Sequence, residues 1–315
     1  MTIESQQTVL RAVAAMEEHT GTVPGYRRAH ARGVVFHATF TPAATMPSVT
    51  TAEHFAGPPV PALVRLSNAA GSPYAPDRKP GRHGATLGLA IRFDLPSGAH
   101  ASWAGVNLAS FPARDAAEFI RITELQNAET GRPSPRILGH LATHPHVLPA
   151  VKGIAGLPET ASFAATRFNG LHTYYAVGPD GARRAFRYSW VPEAPAQPLT
   201  DVQRRSWPPQ YLISEIRQHP AVGWTLRLTF AAPEDPVDDV TRRWPDDRET
   251  VDAGRLVLGT PVEDQAAVEL TVFDPTAVVA GIELSDDPIL HFRSQVYSES
   301  YSRRSGEERP AIKPE

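Results

Sequence analysis

Val222-Gly223-Trp224-Thr225-Leu226-Arg227-Leu228-Thr229-Phe230 alternates strictly, with Val222, Trp224, Leu226, Leu228 and Phe230 on one side and Gly223, Thr225, Arg227 and Thr229 on the other. Period-two spacing of this kind marks a strand with one buried face. The pattern recurs upstream. Phe186, Tyr188 and Trp190 alternate with Arg187 and Ser189 after the turn signal Gly178-Pro179-Asp180-Gly181. Leu87, Leu89, Ile91 and Phe93 form another apolar face, and Val34, Phe36, Ala38 and Phe40 a fourth. Shorter strand candidates lie at 62–67, around Leu256 and from Val268 to Val272. So many one-sided strands predict an antiparallel sheet, and closing it into a barrel removes exposed edges more simply than leaving it open.

Helical spacing is found at 4–18, from Asp115-Ala116-Ala117-Glu118 onward, around 210–218 and from Ser285. The fold class is therefore α+β, an antiparallel β-barrel with inserted and flanking helices. No repeat and no compositional break marks a boundary, so residues 1–315 read as one domain. The Pro-rich stretches 192–209 and 231–246 read as surface connections. With 41% hydrophobic residues the chain is rich enough to bury a large core. A formal charge of −3, with both signs mixed along the chain, gives no reason to expect nucleic acid or a membrane surface as partner. There is no cysteine, so neither a disulfide framework nor a thiolate-ligated metal is possible, and any metal ligand must come from other side chains. No apolar run reaches the ~18 residues that span a bilayer. The N-terminal stretch carries Glu4, Glu17 and Glu18 and lacks a basic n-region, so it reads as a helix rather than a leader, and a cytoplasmic protein is expected.

Three constellations carry chemistry. In Arg27-Arg28-Ala29-His30-Ala31-Arg32-Gly33 a histidine flanked by alanines sits at the entrance to a strand, where a flat ligand could approach it closely. In Val64-Arg65-Leu66-Ser67, strand alternation puts Arg65 and Ser67 on one face, opposite Val64 and Leu66. A barrel interior that receives Arg65 would have to hold an anion. Gly105-Val106-Asn107-Leu108 adds an amide. In the terminal run, Ser285 or Asp286 serves as cap and Pro288 fits the first turn. Leu290, Arg293, Tyr297 and Arg304 then fall on one stripe, with Arg293 aimed at the Tyr297 phenol. An arginine so placed favours the phenolate. By contrast, His140-Leu141-Ala142-Thr143-His144-Pro145-His146 reads as a loop: Pro145 breaks any helix, and no acidic ligand lies close in sequence.

Taken in order, these motifs resemble haem catalases, and more closely the short catalase-related peroxidases that keep only the catalase core. Arg27 to Gly33, Val64 to Ser67, Gly105 to Asn107 with Phe111 and Arg114-Asp115, and Arg293 to Tyr297 carry the likeness. Gly170 to Tyr174, Thr241 with Trp244-Pro245, and Pro275 to Ile282 extend it over about 25–304, leaving 305–315 as a tail. The resemblance implies haem b held between the barrel and the C-terminal helix. It makes Tyr297 the iron ligand, with Arg293 keeping it anionic. His30 becomes the acid–base residue, Asn107 the amide that orients peroxide, and Ser67 the partner of His30. Arg27, Arg65 and Arg304 fall to the haem propionates, and Phe111 to the pocket wall.

Two positions depart from the catalase pattern. Ala85-Thr86-Leu87-Gly88-Leu89-Ala90 lacks the usual Asp, and Tyr301 stands where His is common. The implied function is a peroxidase that reduces hydrogen peroxide or organic hydroperoxides through a ferryl intermediate, with room for weak catalase turnover. Its expected partners are a peroxide and a small-molecule reductant, and a homodimer is compatible with the sequence. A hydroperoxide-rearranging enzyme like allene oxide synthase, a non-catalytic haem-binding protein, and a barrel for a small apolar ligand remain open alternatives.

Overall fold

The computed structural model describes residues 3–79, 83–125, 135–219 and 222–310; the last five residues of the expected tail lie outside them. Strands run in the order β1 (Gly33–Pro42), β2 (Val60–Asn68), β3 (Arg78–Lys79), β4 (His83–Gly84), β5 (Leu87–Asp94), β6 (His100–Val106), β7 (Phe168–Val177), β8 (Arg183–Pro192), β9 (Gly223–Phe230), β10 (Thr250–Pro261) and β11 (Ile282–Leu284). Helices are α1 (Ile3–Thr20), α2 (Ala116–Leu125), α3 (Pro135–Thr143), α4 (Leu148–Ala155), α5 (Asp201–Ser206), α6 (Leu212–Arg217), α7 (Gln265–Val268) and α8 (Pro288–Ser305). Neighbouring strands follow the order β7-β6-β5-β2-β1-β10-β9-β8, and β8 pairs back onto β7. Eight antiparallel strands thus close a barrel, with β11 added beside β7.

Apolar alternation decides what fills the barrel. Phe40, Phe93, Trp103, Phe186, Tyr188 and Trp190 all point inward and interlock, with Phe40 and Phe93 at 5.2 Å and Trp103 and Tyr188 at 4.5 Å between ring centroids. Such rings bury the most apolar surface per residue and leave no room for a ligand inside. The opposite face of the same strands is different. Across β1, β2, β5 and β6 the register aligns Gly33, Ser67, Gly88 and Val106 in one row and Val35, Arg65, Ala90 and Ala104 in the next. Mostly small side chains on this outer face leave space that α1, α2 and α8 roof over, packed together through Val9, Val13, Ile120, Phe292 and Val296. Arg65 therefore does not enter the barrel interior as expected. It points outward, because the aromatic core claims Val64 and Leu66.

Other local expectations are corrected too. Val268–Val272 is not a strand. Asp264 caps the short helix α7 by accepting from the Ala267 N–H at 3.0 Å, and the chain then turns Glu269 inward onto Arg65. The cap of α8 is Asp287, one residue after the expected Asp286. Residues 140–143 are the last turn of α3, and Pro145 opens a 3-10 turn rather than a loop. Asp115 does cap α2, accepting from the Glu118 N–H at 2.8 Å. Among the described residues, no helix is long and apolar enough to cross a membrane.

Candidate active site

His30 is set by backbone strain and a missing side chain. Its φ of 55° is the only positive value among the described non-glycine residues. This is a left-handed conformation that costs energy outside glycine and tends to mark functional positions. The Ala69 carbonyl accepts its N–H at 3.1 Å, and its ring Nδ1 meets the Ser67 hydroxyl at 2.9 Å. A Cβ on Gly88 would lie 2.5 Å from His30 Cε1, so only glycine on β5 admits the ring. Burial, reinforced by the charges of Arg65, Arg293 and Arg27, lowers its pKa to about 3. The imidazole is therefore neutral at ordinary pH, and its Nε2 has no hydrogen-bond partner among the described residues.

Tyr297 belongs to a second unit, built on α8 and β7. Arg293 donates to the Tyr297 hydroxyl at 2.5 Å and, through Nη1, to His172 Nε2 at 2.8 Å. Guanidinium has only donors, so His172 Nε2 must accept and the proton sits on Nδ1. That Nδ1–H reaches Asp287 Oδ2 at 2.7 Å. Burial outweighs Asp287 and lowers the His172 pKa, which keeps the ring neutral. Arg293 is partly buried, and its desolvation works against its charge, but the Tyr297 oxygen raises its pKa, so it stays cationic. The order Asp287, His172, Arg293, Tyr297 delivers a fixed cation to one phenolic oxygen.

Both units line one cavity of about 400 Å³, together with Arg27, Arg65, Ser67, Gly88, Phe111 and Arg304. Phe111 stacks on Phe119 of α2, 6.0 Å between centroids. One edge is cationic. Arg27 and Arg65 both pair with Glu269, the latter at 3.1 Å, and Arg309 approaches the same carboxylate at 3.8 Å. Burial alone would raise the Glu269 pKa, but Arg65 and Arg27 hold it below the usual carboxylate range. Arg304, 5% exposed, has no hydrogen-bond partner for its Nε among the described residues.

Of the residues singled out from sequence, eight therefore share the cavity. Asn107 does not line it. Its Oδ1 accepts from the Leu87 N–H at 2.8 Å and its Nδ2 donates to the Ala85 carbonyl at 3.2 Å, fixing the start of β5. Sequence reasoning missed Glu269, Asp287 and Gly88, and it did not join His172 to Arg293. The Gly170-Leu171-His172 stretch was a signal for His172, but the partner across 121 residues was not.

Residues 15–313 match the family model described as Catalase, and the chain belongs to the catalase family. Within it, the chain is similar to two catalase-related peroxidases. It is 32% identical to the one from Mycolicibacterium paratuberculosis, over 96% of this chain and 97% of the relative. It is 29% identical to the one from Synechococcus elongatus, over 94% of this chain and 88% of the relative. A bacterial catalase structure superposes with a TM-score of 0.75 at 22% identity, covering 91% of this chain and 58% of that one. That likeness establishes a catalase-like α+β fold.

Proposed function

We propose that this chain binds haem b between the outer wall of its barrel and α8, and acts as a peroxidase on hydrogen peroxide or organic hydroperoxides with a small-molecule reductant. Weak catalase turnover would accompany it. The names of the two catalase-related peroxidases support the reaction class. The residues present fit the cofactor. Small side chains on β2, β5 and β6 leave an apolar slot, and Arg27, Arg65 and Arg304 gather on its edge, the first two paired with the single carboxylate of Glu269. Unbalanced buried cations call for further anions, and two propionates would answer them through the planar forks of Arg27, Arg65 and Arg304. Tyr297 would hold the iron through its hydroxyl oxygen, to which Arg293 donates at 2.5 Å.

Haem supplies an iron centre on which a peroxide O–O bond is broken. The protein's own residues would move the proton. For His30 Nε2 to accept it, Nδ1–H must donate to Ser67 Oγ, an arrangement that the 2.9 Å contact allows. His30 takes the peroxide proton at Nε2 and returns it to the departing oxygen, so that water or an alcohol leaves rather than an anion. Positioned acid–base help of this sort is worth ~10²–10⁴-fold. Asn107, outside the cavity lining, would act indirectly by bracing the start of β5, whose Gly88 admits the His30 ring.

The observation that carries the reading is one cavity holding a neutral, strained His30 and an arginine-paired Tyr297. A carrier would need Tyr297 and the arginines but would have no use for His30 and Ser67. Replacing His30→Ala tests it by stopped-flow absorption. Haem should remain bound while the spectral change on adding peroxide slows by ~100-fold or more. An unchanged rate overturns the assignment.

A further inference from the structure

Away from the cavity, the histidine cluster at the end of α3 meets an acid from α2. Glu118, 7% exposed in its side chain, places Oε1 3.7 Å from His140 Nε2. His140 follows it underground, at 9% exposure, and its Nε2 has no hydrogen-bond partner among the described residues. His144 lies one turn on, still in helical register because its N–H donates to the His140 carbonyl at 2.9 Å. The two imidazoles stack at 4.0 Å with 13° between planes. Ligand atoms of Glu118, His140 and His144 lie within 4.8 Å of one another.

Hydrogen bonds around the cluster fit metal ligation. His144 Nδ1 lies 3.1 Å from the His140 carbonyl and 2.8 Å from the Thr143 hydroxyl; with its proton on Nδ1 donated to these oxygens, Nε2 presents a lone pair. A backbone carbonyl holding the far nitrogen is the usual support of a metal-binding histidine. Glu118 is oriented from behind by the Arg114 N–H at 2.8 Å and by His146 Nε2, at 2.8 and 3.0 Å from its two oxygens. Of the cations in the same pocket, Arg114 and Arg121 are more than half exposed and Arg136 is exposed too, so all three are screened by solvent.

We propose that Glu118, His140 and His144 form a site for a divalent transition-metal ion of the zinc class, with His146 or water as a fourth ligand. Two imidazoles and a carboxylate suit tetrahedral Zn²⁺. Drawing the three atoms from 4.8 Å to the ~3.4 Å spacing of a tetrahedron with ~2.0–2.1 Å bonds needs only side-chain rotation. The ion would tie α2 to α3, one residue from Phe119, which lines the cavity.

Tag-free, haem-loaded protein dialysed against Zn²⁺ and assayed by elemental mass spectrometry tests this. One zinc per chain is expected. It should weaken at least tenfold against a chromogenic chelator in His140→Ala and His144→Ala, and persist in His219→Ala, where a histidine elsewhere pairs with Glu215. Absence of stoichiometric zinc, or equal binding in all three variants, overturns the proposal. Should the alanine variants fail to fold by circular dichroism, zinc-edge X-ray absorption of the unaltered protein decides it. Two imidazoles in the first shell support the site, and one or none refutes it.

Discussion

Asp287 accepts the Nδ1–H of His172 at 2.7 Å on one carboxylate oxygen while the other caps α8, taking the N–H groups of Ile289 at 2.9 Å and Leu290 at 3.3 Å. The same side chain thus fixes where the helix starts and which nitrogen of His172 faces Arg293. Tyr297 lies 10 residues beyond Asp287, so the angular position of its hydroxyl depends on both events.

Removing that carboxylate should therefore cost both stability and spectral integrity. Asp287→Ala should destabilise by about 2 kcal/mol or more, combining a lost cap with an unpaired buried N–H. Asp287→Asn should keep the cap and lose less, yet still shift the haem absorption bands, because an amide can present a donor to His172. Denaturant unfolding and absorption spectra of both variants check this.

Gly88→Ala should act as a remote lesion of His30. Its Cβ would fall 2.5 Å from His30 Cε1, so the imidazole must move while Tyr297 is untouched. Haem binding should survive and reaction with peroxide should slow at least tenfold in stopped-flow experiments. Gly153→Ala, in α4 with nothing within 4 Å of the new carbon, should react normally and gain up to ~1 kcal/mol of stability.

Glu269→Gln should destabilise the haem-free protein by about 3–5 kcal/mol, since it strips the counter-charge from the buried Arg65 and Arg27. Haem should relieve much of that loss if its propionates enter the same cluster. Thermal unfolding with and without haem measures the difference, and an equal loss in both states would argue against propionates at this edge.

Acid stability should be governed partly by His54, whose ring stacks on Phe93 at 5.0 Å with neither nitrogen hydrogen-bonded among the described residues. Burial alone lowers its pKa from 6.5 to about 3. The unfolded chain then takes up the proton first as pH falls, so stability drains between pH 6.5 and about 3 and is flat above. The slope is at most ~1.4 kcal/mol per pH unit for one proton. His54→Phe should flatten this limb without loss at pH 7, as urea titrations over that range would show.

Legibility in the sequence followed the range of the forces. Barrel strands could be read from Val222 to Phe230 and from Leu87 to Phe93 because alternation is local. The Arg293–Tyr297 pair could be read because helical spacing is local too. Which side of β2 faces the ligand could not, since it depends on the aromatic core that eight strands assemble together. Glu269 sat in a stretch with an apparent strand pattern, and its inward turn is decided by Arg65, 204 residues away. Glu118 was likewise invisible as a neighbour of His146, 28 residues on, until α2 and α3 packed together.

The most direct test of the account is a crystal structure of the haem-loaded protein. Tyr297 Oη should ligate the iron on one face of the porphyrin, with His30 Nε2 above the other face and the propionates among Arg27, Arg65 and Arg304. Iron held by any other residue, or Tyr297 and His30 on the same face, would contradict it.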